Sequence, residues 1–196
     1  MKLFVQRYLR RRYGSLRGLL RLILGHLEWR TGRLRQFSPQ RARNFSRLVF
    51  VCQGNICRSA FAASVALRNE ETKLVLPVAS LGLSTCSGAP SPPEAQTAAA
   101  HCGIDLSAHQ ACDWTDFEVH PADLFLVMEV RQARELLRRL AGKPHAGVVL
   151  LGLCCQPALP HIHDPLTLGA EYFDMCFMRL GQAVLRFQSM LRRCSP

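Results

Sequence analysis

The sequence predicts an α/β fold: a three-layer helix–sheet–helix body with a four-stranded parallel sheet, preceded by a basic helical arm. Three observations predict it. After residue 47, short apolar runs alternate with helical runs, as parallel strands joined by crossover helices require. The last helical run is long and keeps one apolar face. The excess positive charge lies ahead of the first strand.

Leu48 to Val51 reads as the first strand, and Ala60 to Arg68 as the helix that follows it. Leu74 to Ser80 is a second short apolar strand. Glu94 to Cys102 is a helix closed by Gly103, Leu124 to Met128 a third strand, and Val130 to Leu140 a helix ended by Gly142 and Pro144. Val148 to Leu151 makes the fourth strand. Ala170 to Leu191 forms the last helix, with Phe173, Phe177, Leu180, Val184, Phe187 and Leu191 spaced to bury one face against a sheet. Residues 47–196, about 150 in all, suffice for one core. Residues 1–46 form the arm and linker, with Ser38-Pro39 and the Arg-rich stretch after them leading into the body. In such a sheet, ligands bind at the carboxyl ends of the strands.

Cys52 stands at one of those ends and opens the run Cys52-Gln53-Gly54-Asn55-Ile56-Cys57-Arg58-Ser59. A turn between strand and helix aims successive backbone N–H groups, here those of Gln53, Gly54, Asn55, Ile56 and Cys57, at one point, and so binds anions. A helix N-terminus and a guanidinium both favour thiolate, so Cys52 is expected to fall from about 8.5 into the range of roughly 3.5 to 7.5. Gly54 leaves room for a phosphate oxygen, and Asn55 tolerates left-handed backbone. Arg58 can return to the same anion with a planar fork that lysine lacks. Ser59 can donate its hydroxyl proton to the sulfur. A buried inert cysteine needs none of this, and the spacing of Arg58 argues against it. No Gly-Lys-Ser/Thr follows, so the loop is not a nucleotide-binding P-loop of that type.

The pattern Cys-x-Gly-Asn-x-Cys-Arg-Ser after a Val-Phe-Val strand resembles the low-molecular-weight protein tyrosine phosphatases, over roughly residues 47 to 193. The resemblance implies a general acid in an Asp-Pro before the final helix, which here is His163-Asp164-Pro165. Taken alone, that dipeptide also suits a solvated turn. The resemblance further implies that Ser80, in Ser80-Leu81-Gly82, hydrogen-bonds Asn55 and stiffens the loop. Leu166 stands where the family places an aromatic wall for the phosphotyrosine ring. Gln53, Ala60 and Ala63 also depart from the common residues, and Cys112 replaces an arginine after His109. None of these departures touches Cys52, Arg58 or Asp164, so phosphate chemistry is expected with a shifted ester preference.

Residues 1–47 hold thirteen Lys or Arg and one acid, Glu28, for a net +12; the rest of the chain holds twelve and thirteen, for −1. Within the arm, Leu16, Leu19, Leu20, Ile23 and Leu27 recur at helical spacing, with Arg17 and Arg21 on another side. Arg21 interrupts the longest apolar run well short of the ~20 residues that cross a bilayer. A basic amphipathic helix suits an anionic lipid surface, or an acidic or membrane protein partner, through residues 1–30. A body-packed extension and an organellar transit peptide are the alternatives. Nucleic acid is not an expected partner, because no motif for it is present.

Nine cysteines without a secretory signal suit a reducing compartment, so the expected location is cytoplasmic, at most peripheral on the inner membrane face. Cys57 is either a packed residue or a partner that resolves oxidised Cys52. Cys154 and Cys155, adjacent and near His161 and His163, lack zinc-ligand spacing, and no metal or cofactor is expected. The expected chemistry is phosphomonoester hydrolysis through a cysteinyl-phosphate. By resemblance to bacterial exopolysaccharide systems, the substrate would be a phosphotyrosine protein such as a membrane-bound tyrosine kinase. The rivals are an arsenate reductase, which needs further thiols where this chain has Met128-Glu129, and a phosphotyrosine-binding module.

Overall fold

A computed structural model describes residues 2–68 and 76–194. In chain order its elements are α1 (Lys2–Tyr13), α2 (Leu16–Arg30), β1 (Arg47–Cys52), α3 (Arg58–Arg68), β2 (Val78–Gly82), α4 (Pro93–His101), β3 (Asp123–Val127), α5 (Val130–Arg139), β4 (Gly147–Leu150) and α6 (Ala170–Cys194). The four strands form one parallel sheet in the order β2-β1-β3-β4. Alternate residues of β1 face opposite layers. Leu48, Phe50 and Cys52 join the core under α3 and α6, with Phe61, Phe173 and Phe177. Val49 and Val51 join a second core under α5, with Phe125, Val127 and Leu136. Both sheet faces are therefore dry, which is why the strands read as continuous apolar runs.

The second strand begins and ends later than expected. Leu74 and Val75 lie outside the described residues, and ladder pairing starts at Val78 opposite Leu48. Pro77 has no N–H to give a ladder, yet its carbonyl accepts from Leu48 N at 2.9 Å. The strand continues to Gly82 because Leu81 and Gly82 pair with Val51 and Cys52. Leu34 and Phe37, expected in the linker, are fully buried in the α5-side core.

At the amino ends of β1 and β3, Arg47 grips Asp123 with two parallel hydrogen bonds, Nε to Oδ1 at 2.6 Å and Nη2 to Oδ2 at 2.7 Å. Asp123 also accepts from His120 N at 2.8 Å, so this buried carboxylate is well satisfied.

The arm folds back on the body. Helix α2 is capped by Ser15, whose hydroxyl oxygen accepts from Gly18 N. It turns Gly18, Leu22 and Gly25 inward. A Cβ on Gly18 would sit 2.7 Å from a ring carbon of His163, and one on Gly25 would sit 3.2 Å from Pro160. Arg134 pairs with Glu28 at 2.6 Å, and Arg179 donates to the carbonyl of Arg12 at 2.7 Å. On the opposite side Leu16, Leu20, Ile23, Leu24 and Leu27 are between 47% and 69% exposed. At helical pitch these five occupy a stripe of roughly 100°. Among the described residues, no helix is long and apolar enough to cross a membrane.

Candidate active site

The turn between β1 and α3 is built around Asn55, a fully buried residue with φ of 51°. Its side-chain amide donates to Ser59 Oγ at 2.8 Å and to Ser80 Oγ at 2.9 Å. Its Oδ1 accepts from Cys112 N at 2.8 Å, and its carbonyl is bonded to His109 Nε2 at 2.6 Å. One side chain thus ties the loop to α3, to β2 and to the segment at residues 109–112. Leu83 N and Ser84 N donate to the carbonyls of Cys52 and Gln53. This close approach requires Gly82, where a Cβ would lie 3.0 Å from both Gln53 O and Gly54 C. At Gly54 itself an added Cβ would meet only the side chain of Ile56.

Cys52 Sγ lies at the end of β1, 3.3 Å from Asn55 N and 3.1 Å from Ser59 Oγ. Because Ser59 Oγ already accepts from Asn55, its own proton is free to point at the sulfur. Gln53, Gly54 and Ile56 are half-buried around the mouth of the loop. Cys57 faces inward and packs in the α6-side core, where burial, with Cys52 and Asp164 nearby, pushes its thiol far above the usual range.

Among the described residues Arg58 is the largest fully buried side chain. Its Nη1 donates to Glu129 Oε1 at 2.7 Å and to the carbonyl of Ile162 at 3.0 Å, and its Nη2 donates to Asp164 Oδ2 at 2.6 Å. Nε has no protein partner. Burial works against its charge, but Asp164, Cys52 and Glu129 outweigh burial and keep the guanidinium firmly protonated. Asp164 lies on the irregular segment before α6, with a side chain 38% exposed, and Leu166 N donates to its Oδ1 at 3.3 Å. Leu166 is exposed on the same rim.

Glu129 is the residue that sequence reasoning missed. It follows β3 and is buried, and its Oε2 has no hydrogen-bond partner. Arg21 Nη1 of α2 lies 3.6 Å from that oxygen and His161 Nδ1 lies 3.7 Å from it. Burial would raise the carboxyl, but Arg58 and His161 hold it below its ordinary value. His161 Nε2 is 3.3 Å from His163 Nδ1, and His163 Nε2 is 2.9 Å from Ser15 Oγ. Cys154 and Cys155 lie apart from this chain of contacts, buried, with thiols pushed up to about 12 and about 11 by burial.

The arrangement joins a sulfur in contact with Asn55 N and Ser59 Oγ, a turn of backbone amides, a guanidinium whose Nε–H is unused, and a carboxyl on a rim. Such a set can hold a tetrahedral oxyanion and attack its centre. The chain is 38% identical over 96 residues to a probable low molecular weight protein-tyrosine-phosphatase EpsP of Ralstonia nicotianae, a match covering 49% of this chain and 64% of that protein. Its fold matches the tyrosine phosphatase Wzb of Escherichia coli K30, with a TM-score of 0.62 at 24% identity over 75% of this chain and 99% of that one. It also matches the YwlE arginine phosphatase of Geobacillus stearothermophilus, with a TM-score of 0.62 at 22% identity over 76% and 94%. Residues 47–195 match the family model described as low molecular weight phosphotyrosine protein phosphatase, and the chain belongs to that family.

Proposed function

We propose that the protein hydrolyses protein phosphotyrosine through a cysteinyl-phosphate. The observation that carries this reading is the convergence on one sulfur of Asn55 N–H and Ser59 Oγ beside a buried guanidinium whose Nε is unpartnered. Cys52 reacts as the thiolate and attacks phosphorus in line. The S–P bond forms as the P–O bond to the aryl oxygen breaks, and the Asp164 carboxyl gives its proton to that oxygen. Loop N–H groups and Arg58 hold the spreading charge. Water then attacks phosphorus, Asp164 takes its proton, and the S–P bond breaks with Ser59 donating to the departing thiolate.

Arg58 keeps Nη1 on Glu129 and Ile162 O, so a phosphate entering the loop meets Nε and competes with Asp164 for Nη2. Seating the substrate thereby frees the carboxyl that must protonate the leaving group. The direct test is release of aryl alcohol from an aryl phosphate in the presence of chelator, with Cys52→Ser as the control. Hydrolysis by that variant at the parent rate would sink the assignment of the nucleophile.

The partner in this reading is a tyrosine kinase of a polysaccharide-export system, supported by similarity to EpsP. Leu166 offers no aromatic wall, so the substrate panel includes phosphoserine and phosphoarginine peptides beside phosphotyrosine. The outward stripe of α2 is read as seated on anionic lipid. Leu16, Leu20, Ile23, Leu24 and Leu27 supply the apolar contact, and exposed Arg17 and Arg30 flank it on an arm of net charge +12.

A further inference from the structure

Two carboxylates, Glu129 and Asp164, face the single guanidinium of Arg58, and the reaction adds a thiolate and a phosphate to the same small volume. Such a site needs a further positive charge beside Glu129 if that buried carboxylate is to hold Arg58 in one direction. His161 does not supply it at neutral pH. Burial, together with His163, Arg58 and Arg21, lowers it to about 4 in spite of Glu129. Among the described residues, the other cation within 4 Å of Glu129 is Arg21, from α2. Arg21 approaches through a cleft of about 260 Å³ between α2 and α5, which opens onto Glu129 and His161. Glu129 Oε2 is buried there without a hydrogen bond, so the carboxylate relies on Arg21 to balance the oxygen that Arg58 does not hold.

The same helix also reaches the other half of the site. Ser15, its N-cap, is bonded to His163, the residue immediately before Asp164. Gly18 lies against the His163 ring, and Gly14 is so close to Leu168 and Tyr172 that a Cβ there would fall within 3 Å of both. The carbonyl of His163 in turn accepts from Tyr172 Oη at 3.4 Å. Helix α2 therefore touches Arg58 through Glu129 and Asp164 through His163.

We infer that α2 is a working part of the reaction centre: Arg21 is a positioning residue that sets Arg58 through Glu129, and Ser15 is one that sets the Asp164 loop through His163. The inference rests on the phosphatase reading above and assigns the arm a role in the turnover of that same site. Neither residue touches the reacting atoms. Each acts by fixing the direction of a group that does.

The experiment uses the full chain and simple aryl phosphates of graded leaving-group basicity. A displacement of about 1 Å can cost roughly a hundredfold in rate, so loss of a partner one step removed is expected to cost Arg21→Ala roughly tenfold in kcat, with KM within about twofold. Arg21→Lys should recover most of that loss. In a Glu129→Gln background Arg21→Ala should have no further effect, because the pair acts as one unit. Ser15→Ala should slow esters of basic phenols more than esters of acidic ones, since only the former depend on the Asp164 proton. Melting temperatures of all variants are recorded beside the rates. Unchanged kcat in Arg21→Ala, or an equal loss with and without Glu129, overturns the role of Arg21. A Ser15→Ala effect independent of leaving group overturns that of Ser15.

A second readout separates this inference from the reaction assignment. The ratio of Cys52 alkylation by iodoacetate to that by iodoacetamide reports the positive potential at the sulfur and needs no turnover. It should drop severalfold in Arg21→Ala. A parent protein inert to every aryl phosphate defeats the phosphatase reading, and an unchanged ratio defeats the inference.

Discussion

Arg58 Nη2 and Asp164 Oδ2 lie 2.6 Å apart, so the proposed phosphate-binding group and the proposed proton donor are each other's partner. The pairing couples binding to proton delivery, because phosphate takes the nitrogen that the carboxyl gives up. Asp164→Asn should therefore separate the two effects. Its kcat is expected to fall about a hundredfold to ten-thousandfold, most for basic leaving groups. Inorganic phosphate should inhibit it more tightly than the parent, since Arg58 then faces one carboxylate, Glu129, instead of two. Steady-state kinetics with phosphate as inhibitor measures both.

Ser80 is one of two acceptors for the Asn55 amide, and it lies on β2 outside the loop. Ser80→Ala removes that bond and leaves Asn55 hung from Ser59 alone. A cost of about 1 kcal/mol in stability is expected from one lost, partly buried hydrogen bond, with a severalfold drop in kcat. Denaturant melts and aryl phosphate turnover on the same preparation test this. A full loss of activity would mean that Ser80 does more than brace the loop.

Acid sensitivity follows from His161. Its folded value is depressed to about 4 by burial, against about 6.5 in the unfolded chain. The unfolded state therefore binds more protons between those values, and stability falls as pH drops from about 6.5 to about 4. Glu129 favours the charged ring, whereas His163, Arg58 and Arg21 oppose it. The slope of unfolding free energy against pH should flatten in His161→Asn. A parallel slope in parent and variant would place the acid sensitivity elsewhere.

The outward stripe of α2 makes a prediction about lipid. Ile23→Glu combined with Leu27→Glu puts two charges on the stripe, away from the glycines that contact the body. Sedimentation with vesicles rich in anionic lipid should carry down the parent and leave this variant in the supernatant, with aryl phosphate turnover retained by both. Binding of the parent should weaken with added salt and vanish on neutral vesicles. Equal sedimentation of parent and variant would remove the stripe from membrane contact.

The order of elements and the loop from Cys52 to Ser59 are legible in the sequence because their information is local. A strand is a short apolar run, and the loop residues are neighbours whose spacing alone implies a common target. Ser80 and Asp164 are not local to the loop, and each is a common residue for a strand end or a turn. Resemblance to a family, rather than pattern, picks them out. Glu129 has no local signature at all, since it meets Arg58 across 71 positions and looks like any acid before a helix. Gly82 is equally silent, because the backbone that crowds it belongs to Gln53 and Gly54 on another strand end.

The arm is the element whose pattern is most easily misread. Leu16, Leu20, Ile23 and Leu27 do form an apolar face, but the body takes the side bearing Gly18, Leu22 and Gly25. Small residues allow closer helix approach than leucines would, and periodicity of large apolar residues does not register them. Leu34 and Phe37 are masked in the same way by the arginines and the proline around them, although both lie in the core.

Strand β1 begins at Arg47, clasped to Asp123, and ends at Cys52, some 17 Å away at the usual strand rise. Its foot is a satisfied anchor, and near its head lie Arg58 Nε and Glu129 Oε2, both buried without a hydrogen bond. Height along this strand is therefore a ruler for sorting inherited or engineered changes. Those near the foot should surface as poor yield from cells, and those near the head as well-made protein that turns over little.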